Sequence, residues 1–254
     1  MSDSLLLERR DGVLVLTIDR PLARNAMDAA TAQSIALALA AFEEDAGLHV
    51  AVLTGAGGHF CAGMDLKAFL KGELPSVEGK GFGGLTLVRP RKVLIAAVEG
   101  YALAGGFEMV LACDLVVASH TAQFGLPEAK RGLVASAGGL LRLPRRIPFN
   151  VAMEYALTGR NLPAPRAHAL GLVNRLCEPG EALAVAMEVA REIVANAPKS
   201  VRTSKAVLYD SAQWEDAVMF ERQAPLVDHV LRSNDAREGA RAFAEKRSPR
   251  WTDS

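Results

Sequence analysis

The chain is poor in the features that would staple it, anchor it or give it a charged partner. Only three of its 254 residues are cysteine; Cys61, Cys113 and Cys177 lack CxxC spacing and sit among apolar neighbours. Neither a disulfide framework nor a cysteine-built metal site is expected, and the three read as small core residues of a reduced compartment. No apolar run approaches the ~18 residues that span a bilayer. The opening Met1-Ser2-Asp3-Ser4 has no basic region ahead of Leu5-Leu6-Leu7, so no secretion signal is expected and the expected location is cytoplasmic. Charge of one sign is missing as well, since 29 basic side chains balance 29 acidic ones. That balance excludes nucleic acid or an anionic membrane surface as an obvious partner. Aliphatic content is high: half the residues are hydrophobic and 23% charged, enough in a chain this long to bury a large core.

The pattern is α/β. Val13–Ile18 follows the turn signal Asp11-Gly12 and pairs with Leu5–Arg9 as a hairpin. Asp28 or Thr31 caps a helix that carries Ile35, Leu39 and Phe42 on one face. Val50–Thr54 and Val93–Val98 are apolar throughout, as strands buried on both faces are. Glu99-Gly100-Tyr101 then reads as a turn, Gly105-Gly106 as the start of a helix through Cys113, and Leu115–Ala118 as another strand. The recurring strand, strand, helix order predicts stacked ββα turns. Segment 72–88 is rich in glycine and reads as a mobile loop. From Pro148 onward the chain reads as helices: 182–195, then Pro198–Tyr209, Trp214–Leu231 and Asp235–Lys246. The expected division is a core over 1–196 and a helical appendage over 197–254.

Two segments place glycine where backbone must approach something: Phe60-Cys61-Ala62-Gly63-Met64-Asp65-Leu66 and Ala104-Gly105-Gly106-Phe107-Glu108. Both follow a buried strand, where α/β architectures bind ligands. Free amides at such turns are ready donors to a developing oxyanion. Asp65 also suits a helix cap ahead of Leu66, its plainer role. Glu108 stands out because it interrupts an apolar helix face, and glutamate is rarely buried without a partner or a task. Glu128, directly after Pro127, opens a short helix, where an acid complements the helix dipole.

Taken together, these segments resemble the crotonase (enoyl-CoA hydratase/isomerase) superfamily over essentially the full chain. The resemblance is carried by Arg20-Pro21 through Asn25-Ala26, Thr54-Gly55 through Asp65-Leu66, Ala96 through Glu108, Ala122 through Glu128, Leu157-Thr158-Gly159-Arg160 and Phe243 through Arg247. Within the superfamily, Gly81–Thr86, Leu126–Lys130 and the ending from Phe243 look most like carnitinyl-CoA dehydratases. The resemblance implies a spiral of ββα units with a C-terminal helical oligomerisation segment, and a homotrimer or a hexamer built as a dimer of trimers. It implies an acyl-CoA thioester as substrate, with coenzyme A part of that substrate, and no separate cofactor or metal. The oxyanion-hole amides fall on Met64 and Gly105, and the two hydratase acids on Glu108 and Glu128. Ala23, Arg24, Ala26, Ala62, Asp65 and Leu66 fall in the CoA-lining segments, and Lys246 and Arg247 are further candidates for its phosphates. The implied reaction is hydration of a 2-enoyl-CoA. Rival readings are double-bond isomerisation, for which one acid suffices, and a non-catalytic acyl-CoA-binding protein, which has no use for two buried acids. The sequence departs from the family at Ala104, where a first glycine is usual, and in Leu133–Gly139, which lacks a common proline.

Overall fold

The computed structural model describes residues 4–254. Asp11 and Gly12 both take left-handed backbone, φ 48° and 78°, the conformation that matches strand twist in a two-residue turn. They join β1 (Leu5–Arg10) to β2 (Val13–Ile18) as the expected hairpin. The Asp28 side chain accepts from the Thr31 N–H and so caps α1 (Ala29–Glu44), whose buried face includes Ile35, Leu39 and Phe42. Then come β3 (Val50–Gly55), the single-turn α2 (Leu66–Phe69), and a small hairpin of β4 (Ser76–Val77) and β5 (Gly81–Phe82). Next are β6 (Val93–Val98), β7 (Tyr101–Leu103), α3 (Gly105–Ala112), β8 (Leu115–Ser119) and β9 (Gln123–Gly125). After a 3₁₀ turn, Pro127–Arg131, follow α4 (Gly139–Arg146), α5 (Phe149–Thr158), β10 (Leu162–Pro163), α6 (Ala164–Ala169), β11 (Arg175–Cys177) and α7 (Ala182–Val194). The last helices are α8 (Pro198–Asp210), α9 (Met219–Leu231) and α10 (Asn234–Glu245).

The main sheet runs β1-β2-β3-β6-β8-β11 and is parallel except for β1. The second, β10-β9-β7, takes the short strands that follow β6 and β8, with β10 added antiparallel at the edge of β9. This is the anticipated stacking of ββα turns. Both faces of the main sheet are covered, which accounts for its unbroken apolar strands. Val13, Val15, Val50, Val52 and Ile95 meet Ala182, Ala186 and Ala190 of α7. Leu14, Leu16, Leu53, Leu94 and Val98 belong with α1, α3 and the second sheet to a larger core.

Several boundaries differ from expectation. Tyr101 is the first residue of β7, not a turn, because the glycine that turns the chain is Gly100 at φ 50°. The region beyond Pro148 also holds β10 and β11, each only two or three residues long and so without a readable alternation. The helix expected from Trp214 begins at Met219 after a 3₁₀ turn over Ser211–Gln213. The last one starts at Asn234, one residue early, because Ser233 supplies its cap. Segment 72–88 is partly ordered: it contains the β4–β5 hairpin, and Leu85 and Thr86 are buried. Gly84 lets it lie on α1, since a Cβ there would stand 2.3 Å from the Ala32 carbonyl oxygen. The C-terminal helices are tied to the sheet by Lys205, whose Nζ lies 2.6 Å from Asp114 and donates to the Lys92 carbonyl at 2.8 Å.

Candidate active site

Two turns meet beside the second sheet. The chain leaving β3 runs alongside β7, with the Cys61 N–H donating to Tyr101 O and the Leu103 N–H to Cys61 O. Gly63, at φ 100°, then turns it against the start of α3; a Cβ on Gly63 would lie 2.9 Å from Ala104 Cβ and 3.6 Å from Gly105 N. On the other side, a Cβ at Gly106 would stand 2.2 Å from the Cys61 carbonyl oxygen, and one at Gly105 would enter the Phe82 ring. These glycines exist for close approach. Ala104 holds φ 50°, ψ −129°, a conformation that suits glycine far better than alanine. The alanine substitution noted in the sequence therefore leaves the turn intact at the expense of local strain. Among the described residues, neither the Met64 N–H nor the Gly105 N–H donates to any acceptor.

Both amides border a cavity of about 540 Å³. Ala62, Leu66, Glu108 and Glu128 border it too, and Phe82, Thr86 and Leu87 of segment 72–88 form part of its wall. Glu108 lies one turn into α3 and is 3% exposed. Its Oε1 accepts from the Ala137 and Gly139 N–H groups, each at 2.8 Å. Burial pushes its carboxyl above the ordinary range, against the lowering pull of those amides and of Arg142. Glu128 stands in the 3₁₀ turn with Pro127 at its first position. It is raised too, by burial first and also by the charge of Glu108, while Arg131 opposes the rise. Its Oε2 is buried without a hydrogen-bond partner among the described residues. An acceptor left open in this way, facing a cavity, can take a water or a proton from a ligand.

The remaining anticipated residues lie behind this wall. Ala23, Arg24 and Ala26 do not line the cavity; they form an adjoining exposed to half-buried loop, joined to it by the Ala62 N–H donating to Arg24 O at 3.0 Å. Arg24 also lies over the Tyr101 ring, 5.7 Å from its centroid. Asp65 has both oxygens engaged. Oδ1 caps α2 through the Lys67 and Ala68 amides, and Oδ2 pairs with Arg20 at 2.9 Å. The Arg20 hydrogen bond is the main cause holding the Asp65 carboxyl below its ordinary range. Arg20 also pairs with Asp28, and Asn25 Nδ2 donates to the Ala56 and His59 carbonyls, so loop 20–26 and turn 56–65 form one braced unit. At the other end of the chain Arg247 is paired with Glu238 and Glu245.

Sequence reasoning missed the support of Glu108. Arg142 donates to Thr86 O at 2.6 Å and to Ala137 O at 3.3 Å, joining the cavity wall to the segment whose amides hold the acid. It can do so only over a glycine, because a Cβ at Gly138 would stand 2.0 Å from its Nη1. The pair Gly138-Gly139, a second instance of the Gly105-Gly106 pattern, was the available signal.

The family model for enoyl-CoA hydratase/isomerase matches residues 8–254. The chain belongs to that family. A carnitinyl-CoA dehydratase of Salmonella arizonae is 44% identical, the match covering 99% of each chain. Among solved structures, an enoyl-CoA hydratase from Mycobacterium tuberculosis H37Rv is 56% identical with a TM-score of 0.97, and a carnitinyl-CoA hydratase from Mycobacterium avium is 41% identical with a TM-score of 0.80. Both cover 100% of this chain and of their own. The crotonase-like α/β fold read from the sequence is the fold of this family.

Proposed function

We propose that this protein is an enoyl-CoA hydratase, a hydro-lyase that reversibly adds water across the double bond of a 2-enoyl-CoA thioester. One observation carries the reading: two carboxyls raised by burial, Glu108 and Glu128, border the same cavity as two unpaired amides, Met64 and Gly105. In this account the amides receive the thioester oxygen, where negative charge develops as hydroxyl adds to the β-carbon. The open Oε2 of Glu128 and the amide-held carboxyl of Glu108 orient water, take its proton and deliver one to the α-carbon. Because the two acids are electrostatically coupled, their protonation states belong to the pair. The reaction so written uses no metal or redox cofactor, coenzyme A arriving as part of the substrate.

The CoA portion is assigned to the braced loop and turn: Ala23, Arg24 and Ala26 at the surface, Ala62 and Leu66 at the cavity mouth, with Asp65 holding the turn through Arg20. Segment 197–254 is assigned to assembly as a homotrimer or a dimer of trimers. Supporting that assignment, Leu208, Phe220, Leu231 and Phe243 are 65 to 89% exposed, and α9 buries no residue within the protomer. Sedimentation equilibrium at micromolar concentration should give a trimer or hexamer, and a monomer would refute it. A cytoplasmic location is inferred from three buried free cysteines and from the fact that no described helix is long and apolar enough to cross a membrane. Loss of enoyl absorbance on mixing with crotonyl-CoA tests the activity; no hydration of any short 2-enoyl-CoA would refute it.

A further inference from the structure

One charge on the cavity wall has no part in the proposed reaction. Arg131 lines the cavity beside Leu133 and Val134, with Leu74 and Leu87 also on the wall. It closes the 3₁₀ turn Pro127–Arg131 three residues after Glu128, and residues three apart eclipse in such a turn, so both side chains leave it on one face. Among the described residues Arg131 makes no hydrogen bond or ion pair. Its charge is therefore not fixed in an ion pair, and it acts both on the cavity and on Glu128, whose carboxyl it lowers. The other charged residues on the wall are Glu108 and Glu128, each of which the proposed chemistry occupies. The aromatic lining consists of Phe69 and Phe82; no tyrosine or tryptophan borders the space. A quaternary ammonium is held in proteins by a cage of aromatic faces; the lining offers only these two phenylalanines towards one, and its two carboxyls are those the proposed chemistry occupies.

We propose that Arg131 sets the charge class of the acyl group, so that the cavity accepts thioesters whose acyl chain is uncharged or anionic and excludes those that carry a fixed positive charge. The proposal rests on the acyl-CoA reading above and narrows it. A carnitinyl group bears a trimethylammonium, so the proposal separates this chain from the substrate named for its 44% identical relative while leaving the two in one family. Two unit charges about 7 Å apart near a protein surface repel enough to change binding by one to two powers of ten, and the exposure of Arg131 puts the expected effect at roughly tenfold.

The test is isothermal titration of the intact protein with butyryl-CoA, glutaryl-CoA and 4-trimethylammoniobutyryl-CoA, saturated ligands that bind without reacting. The wild-type protein should bind the cationic ligand at least tenfold more weakly than butyryl-CoA. Arg131→Lys should keep the gap, Arg131→Leu should narrow it, and Arg131→Glu should close or reverse it. Equal affinity of wild-type protein for butyryl-CoA and the cationic ligand would overturn the proposal, as would a gap that does not move in Arg131→Glu. Because these ligands do not react, a failure of the hydratase reading registers separately, as no turnover of crotonyl-CoA with the charge discrimination intact.

Discussion

Gly106→Ala places one methyl group where the structure has no room for it. The added Cβ would lie 2.2 Å from the Cys61 carbonyl oxygen and 2.9 Å from the Cys61 carbonyl carbon. Ordinary contact begins near 3.4 Å, so α3 and the 61–64 turn must part by about 1 Å. Neither can yield by rotating a side chain, because the obstruction is backbone held by the Cys61–Tyr101 and Leu103–Cys61 hydrogen bonds. The displacement falls between Met64 and Gly105, the two amides assigned to the thioester oxygen. A misplacement of about 1 Å in catalytic geometry costs on the order of 10²-fold in rate, and overpacking a tight site costs about 1–3 kcal/mol of stability. The expected variant is therefore folded, with a somewhat lower Tm and kcat for crotonyl-CoA reduced about a hundredfold. Gly239→Ala in α10 is the control, since its Cβ would sit 3.4 Å from the Trp251 ring; it should gain a few tenths to about 1 kcal/mol and lose no activity. Wild-type kcat in a folded Gly106→Ala protein would refute the assignment of this contact to the oxyanion hole.

Three further outcomes follow from particular contacts. Ala104→Gly relieves left-handed strain of about 1–3 kcal/mol against an entropic cost near 0.5–1 kcal/mol, so Tm should rise by a few degrees with activity preserved; a fall in Tm by calorimetry would count against the strain. Arg142→Met removes a positive charge that lowers the Glu108 carboxyl and frees the segment holding it. The limb of the pH–rate profile governed by Glu108 should move to higher pH with kcat reduced about tenfold or more, whereas an unshifted profile would limit Arg142 to a structural part. Lys205→Met leaves the half-buried Asp114 with only the Leu94 amide and the Tyr209 hydroxyl as partners. Breaking such a pair costs about 3 kcal/mol, read as a lower denaturation midpoint, and an unchanged midpoint would show that α8 is docked by other contacts.

Most of the core was legible because it obeys period and punctuation. Asp11-Gly12 announced the hairpin, and the unbroken apolar runs Val50–Thr54 and Val93–Val98 announced strands covered on both sides. What escaped was short or set by distant partners. The strands Leu162–Pro163 and Arg175–Cys177 are too brief to show alternation and exist through pairing with β9 and β8. In the site, Glu108 was visible as an acid on an apolar helix face. Its hydrogen-bond donors were not, because Ala137 and Gly139 hold it through backbone amides that any sequence possesses. Arg142 reads as an ordinary helix charge until the fold brings Thr86 and Ala137 to its two nitrogens. Asp65 was read both as a helix cap and as a CoA-segment residue, and the Arg20 ion pair that engages its second oxygen joins positions 45 residues apart.

The central claim is that Glu108 and Glu128 serve one transition state. Single-turnover hydration of crotonyl-CoA by Glu108→Gln, Glu128→Gln and the double variant tests it most directly, with thermal melts confirming that all three fold. Each single substitution should lower the chemical step by ~10²–10⁴-fold and leave binding of butyryl-CoA nearly unchanged. Because the pair acts as a unit, the double variant should lose far less than the product of the two single losses. Near-normal turnover by either folded single variant would contradict the two-acid mechanism and remove that residue from it.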